Sequence, residues 1–518
     1  MSQDFPNIKL NLPHNRFKSS LTQISDFFSQ FSPISPAINH DRPERSLPMR
    51  LYSLNKRSFS LVLMAFFVCF LLAVFIGIAG PEITSIKKIE ASKLFDQNEN
   101  VTAKITTGPF KIQSQALNSY ARQLWLFAKY EIENIDETFD TTFLVSVKIK
   151  GLEDDKLKNI EKFQPQNRTR HLKCKGNNCE EFTLIHLGWL DYSHYQFIVN
   201  FYGLNHNRYS ITKLTFYIKT FNLAFTSLEI SFRLIFLFFT FIVTMWYYTL
   251  LRKHPSSNWT IEQKFTYILL PLLIFYDNPL FPLMFLVNSW FVGMLDALFQ
   301  STFLCALLLF WISIYHALRQ SDRKFLTFYL PKLIIITPIW ICAFVLAVWE
   351  KLDEYRDPFW IHFYDGNYSS YITIFYTSII VYMICLIYMM LSAYSDLRSM
   401  HYFDMRLKFL SLLMLFVIII TSISTLSRFG FGTILLDNFV GQLATSYKSS
   451  AHFMCFYGMI NFYVITITYV YSPISTINEP VRKDNPAFSM INDSDEDVVY
   501  ASEEESRRPL NVTDYNSD

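Results

Sequence analysis

The chain has 518 residues, of which 51% are hydrophobic and 17% aromatic, with only 13 glycines and a formal net charge of +2. So apolar a chain would be insoluble as one globule, and its near-neutral charge points to no nucleic-acid partner. No HExxH, GxSxG, P-loop or GxGxxG motif stands in a supporting context, so no enzyme, cofactor or metal is expected.

Residues 1–57 form a polar N-terminal region with prolines at 33, 36, 43 and 48. Phe17, Leu21, Ile24, Phe28 and Phe31 share one helical stripe, which fits a membrane-surface helix and a disordered tail equally. Arg42, Arg45, Arg50, Lys56 and Arg57 precede the first apolar run, 58–81, and place the N-terminus in the cytosol. That run is longer than a signal h-region and follows more than 50 residues, so it is expected to stay as an anchor.

Residues 82–228 are the sizeable non-membrane block. TTFLVSVKIKGL alternates Phe143, Val145, Val147 and Ile149 with opposite-face neighbours, the period of a half-buried strand. QLWLFAKYEI, EFTLIHLGWL, HYQFIVNFYGL and LTFYIKTF repeat it between turn-like segments, predicting an antiparallel sandwich of five to eight strands. Cys174 and Cys179 lie in CKGNNC; a short-loop disulfide is the expectation, with a two-thiol metal site as the alternative. His171, His186, His194 and His206 lack metal-ligand spacing.

Residues 229–477 hold seven further apolar runs: Leu234–Leu251, Phe265–Tyr276 continuing past Asp277, Ala297–Leu318, Leu333–Trp349, Tyr371–Tyr394, Phe409–Ser427 and Phe453–Ile477. About 20 apolar residues span a bilayer, and backbone in lipid must satisfy its own hydrogen bonds, so eight transmembrane helices are predicted in all. Lys and Arg concentrate in alternate loops, which puts both termini in the cytosol. Asn100, Asn167 and Asn367 are sequons on the opposite, lumenal or extracellular side, and are the candidate glycosylation sites.

The sharpest intramembrane polar feature is LLIFYDNPLFPLMF. Asp277 interrupts an apolar run beside Asn278, Pro279 and Pro282; two prolines break the helix, and an intramembrane carboxylate there can bind a polar ligand or a proton, or mark a hinge. A kink whose aspartate reaches interfacial water is the plainer alternative. Asp296 and Asn288 read as solvated near the outer face, and Arg233, Lys264 and Lys332 as snorkelling span ends. Trp290, Trp311, Trp340, Trp349 and Trp360 read as interfacial anchors.

Residues 478–518 form an acidic tail expected to be solvated and disordered. Asn485, Pro486 and Phe488 in DNPAF make a candidate turn-forming signal for cytosolic sorting adaptors, and Ser494 and Ser502, each followed by acidic residues, are candidate phosphorylation sites.

MRLYSLNKRSF (49–59), FLVNSWFVGMLDALFQSTFLCALLLFW (285–311), LTFYLPK (326–332), DMRLKFL (404–410) and DNPAFSMINDSDEDVVY (484–500) closely resemble the transmembrane protein 181 family, a relative of Wntless, the carrier of lipid-modified Wnt proteins. The resemblance implies a lumenal GOLD-like β-sandwich followed by a seven-helix, receptor-like bundle able to open laterally to an acyl chain. It further implies a non-enzymatic receptor or carrier at the plasma membrane or Golgi-endosomal membranes. Membrane lipids, a lumenal or extracellular protein or lipid-modified ligand, and a bacterial cytolethal distending toxin are the partners implied. A G-protein-coupled signalling receptor and a transporter using Asp277 are the alternatives. The core's third helix ends His316-Ala317-Leu318-Arg319 without Asp-Arg-Tyr, and its last helix reads NFYVITITYVYSP without Asn-Pro-x-x-Tyr, so those marks of G-protein coupling are missing.

Overall fold

The computed structural model describes residues 47–54, 56–94, 105–134, 138–153, 156–160, 167–204, 209–287, 289–318, 325–357, 359, 366–397, 408–423, 447 and 449–474. Asn100, Asn288, the N-terminal stripe, and the tail residues Asn485, Pro486, Phe488, Ser494 and Ser502 lie outside them. Among the described residues the long helices are α1 (Lys56–Ile78), α2 (Leu223–Leu251), α3 (Ile261–Tyr276), α4 (Trp290–Ala317), α5 (Leu330–Arg356), α6 (Gly366–Leu397), α7 (Lys408–Ile423) and α8 (Ser450–Tyr471). Each of the eight expected runs coincides with one of them. Among the described residues seven are long and apolar enough to cross a bilayer, and α7 is the shorter one.

The last helix is the hub of the bundle. Its 22 residues include 14 buried ones, and it packs on α1, α2 and α3. Glycine sets the closeness of the α1 contact: a Cβ on Gly77 would lie 2.6 Å from Cα of Ala451, so only a hydrogen fits there. Trp311 and Trp340 bond to neighbouring helices. Trp311 is buried and donates from Nε1 to the Tyr463 hydroxyl (2.8 Å), while Trp340 donates to Thr302 Oγ1 (3.1 Å), so both serve helix packing.

Between α1 and α2 the described residues form ten strands, all paired antiparallel: β1 (Thr84–Glu90), β2 (Phe110–Gln113), β3 (Leu124–Asn134), β4 (Thr138–Glu153), β5 (Lys156–Asn159), β6 (Asn167–Lys175), β7 (Asn178–Cys179), β8 (Phe182–Leu187), β9 (Tyr195–Tyr202) and β10 (Tyr209–Phe221). One layer runs β1-β10-β3-β8 and the other β2-β9-β4-β6 with β5 beside β4; the two-residue β7 pairs with both β3 and β6 and joins them. Aromatic pairs fill the space between, Phe110 with Phe216 at 5.2 Å and Tyr130 with Phe201 at 5.6 Å. Phe143, Val145, Val147 and Ile149 all point into this core, as their alternation requires. Cys174 and Cys179 form a disulfide across β6 and β7.

Three of the contacts among the described residues dock this β domain on the bundle. Asn222 links β10 to α2: its backbone N–H donates to Ile83 O (2.8 Å) and its side chain accepts the Ala224 N–H (3.0 Å), capping the helix. Beyond α5, Phe359 inserts into the sandwich core, and Arg168 and Arg170 hold it there by bonds to Asp357 Oδ2 (2.5 Å) and Phe359 O (2.9 Å). The third contact is a buried ion pair that opens into the candidate site.

Candidate functional site: a buried polar cluster under the beta domain

The break after α3 follows from its residues. Thr260 and Gln263 form a capping box at the helix start, with the Gln263 N–H donating to Thr260 Oγ1 (3.3 Å) and the Thr260 N–H to Gln263 Oε1 (3.0 Å). The last helical bond runs from Asp277 N to Leu273 O, after which Asn278 takes φ of 53°, the left-handed region that asparagine tolerates better than most side chains. Its Oδ1 accepts the Leu280 N–H (3.0 Å) and closes an Asx turn, and Phe281–Phe285 continues as a 3-10 helix. Pro279 is exposed and Pro282 half-buried, so the prolines shape the turn while Asp277 and Asn278 turn inward.

Asp277 is 0% exposed, which rules out the kink whose carboxylate reaches water. Both its oxygens are engaged: Oδ1 accepts the Tyr457 hydroxyl (2.7 Å) and Asn461 Nδ2 (3.1 Å), and Oδ2 faces Thr240 Oγ1 (3.0 Å). Asn278 Nδ2 donates to Asp296 Oδ1 (2.6 Å), and Gln300 Nε2, one turn along α4, donates to Asp296 Oδ2 (2.8 Å).

Three expectations are corrected here. Asp296 is buried rather than solvated, and Arg233 is buried rather than snorkelling, because α2 begins at Leu223 and carries Arg233 well inside the helix. Arg233 donates to Glu229 Oε1 from Nη2 (3.0 Å) and Nε (3.2 Å), and its Nη1 stands 3.6 Å from Asp296 Oδ1. Glu229 Oε2 in turn pairs at 3.0 Å with Nη1 of Arg122 in the β domain, a residue held at φ of 56° just ahead of β3. Phe281 stacks between the two guanidinium groups, 4.8 Å from Arg122 and 4.1 Å from Arg233. Lys332 is also buried, its Nζ donating to Phe328 O (2.7 Å) and lying over the Phe328 ring, whereas Lys264 is exposed as expected.

The result is a continuous polar path from the base of the β domain into the bundle: Arg122, Glu229, Arg233, Asp296, Asn278, and beside them Asp277 with Thr240, Tyr457 and Asn461. Charges removed from water are costly unless paired, and here opposite charges alternate along the path. Arg122, Glu229, Thr240, Tyr457 and Asn461 escaped sequence reasoning. A signal existed for one pair, since Glu229 and Arg233 stand four residues apart beside an apolar run, the spacing of an intrahelical ion pair.

Fold and site together define a multi-pass integral membrane protein with a GOLD-type β domain mounted on a Wntless-like helical bundle. The profile of the Wntless-like transmembrane domain matches residues 222–475, and that of the TMEM181 GOLD domain matches residues 108–221. The chain is 45% identical over 463 residues to human Transmembrane protein 181, covering 88% of this chain and 94% of the relative, and it belongs to the transmembrane protein 181 family.

Proposed function

We propose that this protein is a non-enzymatic membrane receptor or cargo carrier whose β domain recognises a protein or lipid-modified ligand and whose bundle responds to its binding. The observation that carries the reading is the Arg122–Glu229–Arg233–Asp296 path, which ties the β domain to the interior of the bundle by paired charges instead of a flexible tether. A ligand that tilts the β domain must move Arg122, and an unpaired Glu229 would be too costly to leave in place.

An apolar moiety would lie along the surface that follows the broken helix, where Leu283, Leu286 and Val287 are exposed between α3 and α4 and Phe291 is exposed at the start of α4, with Leu286 at 79%. Such a patch, continuous with lipid and close to the β domain, suits an acyl chain. Recognition of a bacterial toxin, implied by the family resemblance, would fall on the β domain. The β domain is taken to be lumenal or extracellular, with cytosolic termini and adaptor contacts through the acidic tail, on membranes of the cell surface or the Golgi-endosomal route.

The test is photo-crosslinking with a diazirine-bearing acylated peptide in membranes containing the full-length protein. Labelling concentrated on 283–291 and reduced by Leu286→Trp supports the reading. Uniform labelling of all lipid-facing helices, unaffected by that change, rejects it.

A further inference from the structure

Asp277, Thr240 and Asn461 form a ring that lacks one hydrogen when the aspartate is ionised. Asn461 Nδ2 uses both its hydrogens, one on Asp277 Oδ1 (3.1 Å) and one on the Tyr457 carbonyl (3.1 Å), which fixes the orientation of the amide. Asn461 Oδ1 then has a single donor within reach among the described residues, the Thr240 hydroxyl at 3.4 Å. That hydroxyl also stands 3.0 Å from Asp277 Oδ2 and owns one hydrogen. If Asp277 is a carboxylate, Thr240 must serve one oxygen and abandon the other, and all these residues are buried. If Oδ2 bears a proton, it donates to Thr240 Oγ1, Thr240 donates to Asn461 Oδ1, Asn461 donates back to Asp277 Oδ1, and every group is satisfied in a closed, mutually polarising ring.

The charge count points the same way. The path holds two cations, Arg122 and Arg233, and the carboxylates of Glu229 and Asp296, which balance them. Asp277 is the surplus acid, and the groups facing it are neutral: Thr240 from α2, Tyr457 and Asn461 from α8. The cation nearest the cluster, Arg233, is engaged with Glu229 and Asp296.

We propose that Asp277 is a proton-binding site, occupied in this arrangement of the bundle, and that Thr240 is the hydroxyl whose hydrogen changes partner when the proton leaves. Loss of the proton to water leaves Asn461 Oδ1 or Asp277 Oδ2 without a donor. It also adds a negative charge that competes with Glu229 for Arg233, linking proton release to the Arg122 contact.

Infrared difference spectroscopy on the full-length protein in lipid nanodiscs tests this. At neutral pH the wild type should show the C=O stretch of a protonated carboxyl, lost in Asp277→Asn and shifted in Thr240→Val, where its O–H has no acceptor. Asp277→Asn should fold with a nearly unchanged unfolding midpoint, because an amide reproduces both the donor and the acceptor of the protonated acid. Absence of the band in wild type, its persistence in Asp277→Asn, or its indifference to Thr240→Val overturns the assignment. A collapse of Asp277→Asn counts against it too, since only a carboxylate would be so poorly replaced.

Discussion

Glu229 is the residue on which two guanidinium groups converge, with 3% of its side chain exposed. Removing its charge strands Arg122 under the β domain, where phenylalanine rings surround it and water is largely excluded. Glu229→Gln should therefore lower stability by about 3 kcal/mol, the usual cost of breaking a buried pair from one side. A thermal-shift assay in detergent checks this, and a loss within error would mean that the pair carries no structural weight. Tyr195 gives a separate, pH-dependent test inside the sandwich. Its buried hydroxyl accepts the N–H groups of Asp191 (2.8 Å) and Tyr192 (3.1 Å), and burial pushes the phenol from 10.0 up to about 12. The folded state keeps a proton that the unfolded chain releases, so stability is level below pH 10 and falls as pH rises towards about 12. Tyr195→Phe should remove that fall while costing about 1–3 kcal/mol at neutral pH for the two abandoned N–H groups.

At the scale of elements, the end of α3 carries two roles in one asparagine. Asn278 needs a left-handed backbone and supplies the amide that holds Asp296. Glycine in its place keeps the backbone and loses the amide, whereas alanine loses both. Asn278→Ala should thus be less stable than Asn278→Gly by about 1–2 kcal/mol, the strain of a left-handed Cβ. Equal midpoints for the two variants would show that the turn relaxes elsewhere. The helix break itself was legible in Asp277-Asn278-Pro279 and Pro282, because proline and asparagine act on the backbone through local sterics. The strands β3, β4, β8, β9 and β10 were legible by alternation; β1, β5 and β6 were not, since their lysine and arginine positions blur the pattern, and β2 and β7 are too short to show one.

For the molecule as a whole, orientation in the bilayer is the property on which the proposed ligand face depends. Asn167 opens β6 and is exposed, so its sequon is open to a glycosylating enzyme if the β domain is lumenal. Glycosidase treatment should increase the gel mobility of the full-length protein, and Asn167→Gln should abolish part of that shift. A β domain facing the cytosol would show no shift at any of its sequons. Asn367 sits in the first turn of α6, and its sequon should contribute to the remaining shift if that end of the helix is lumenal.

Much of this protein is written locally. Runs of apolar residues at bilayer length, strands of alternating period, a cysteine pair five residues apart and a proline-broken helix each depend on near neighbours in the chain, and each is present in the fold. What tertiary structure alone decided is which polar groups meet. Thr240 lies 37 residues from Asp277 and Asn461 lies 184 away, and Arg122 finds Glu229 from another domain. No local period encodes those distances. They arise because buried charges and amides in an apolar bundle must find partners, and only the packing of α2, α3, α4 and α8 under the β domain determines which ones are within reach.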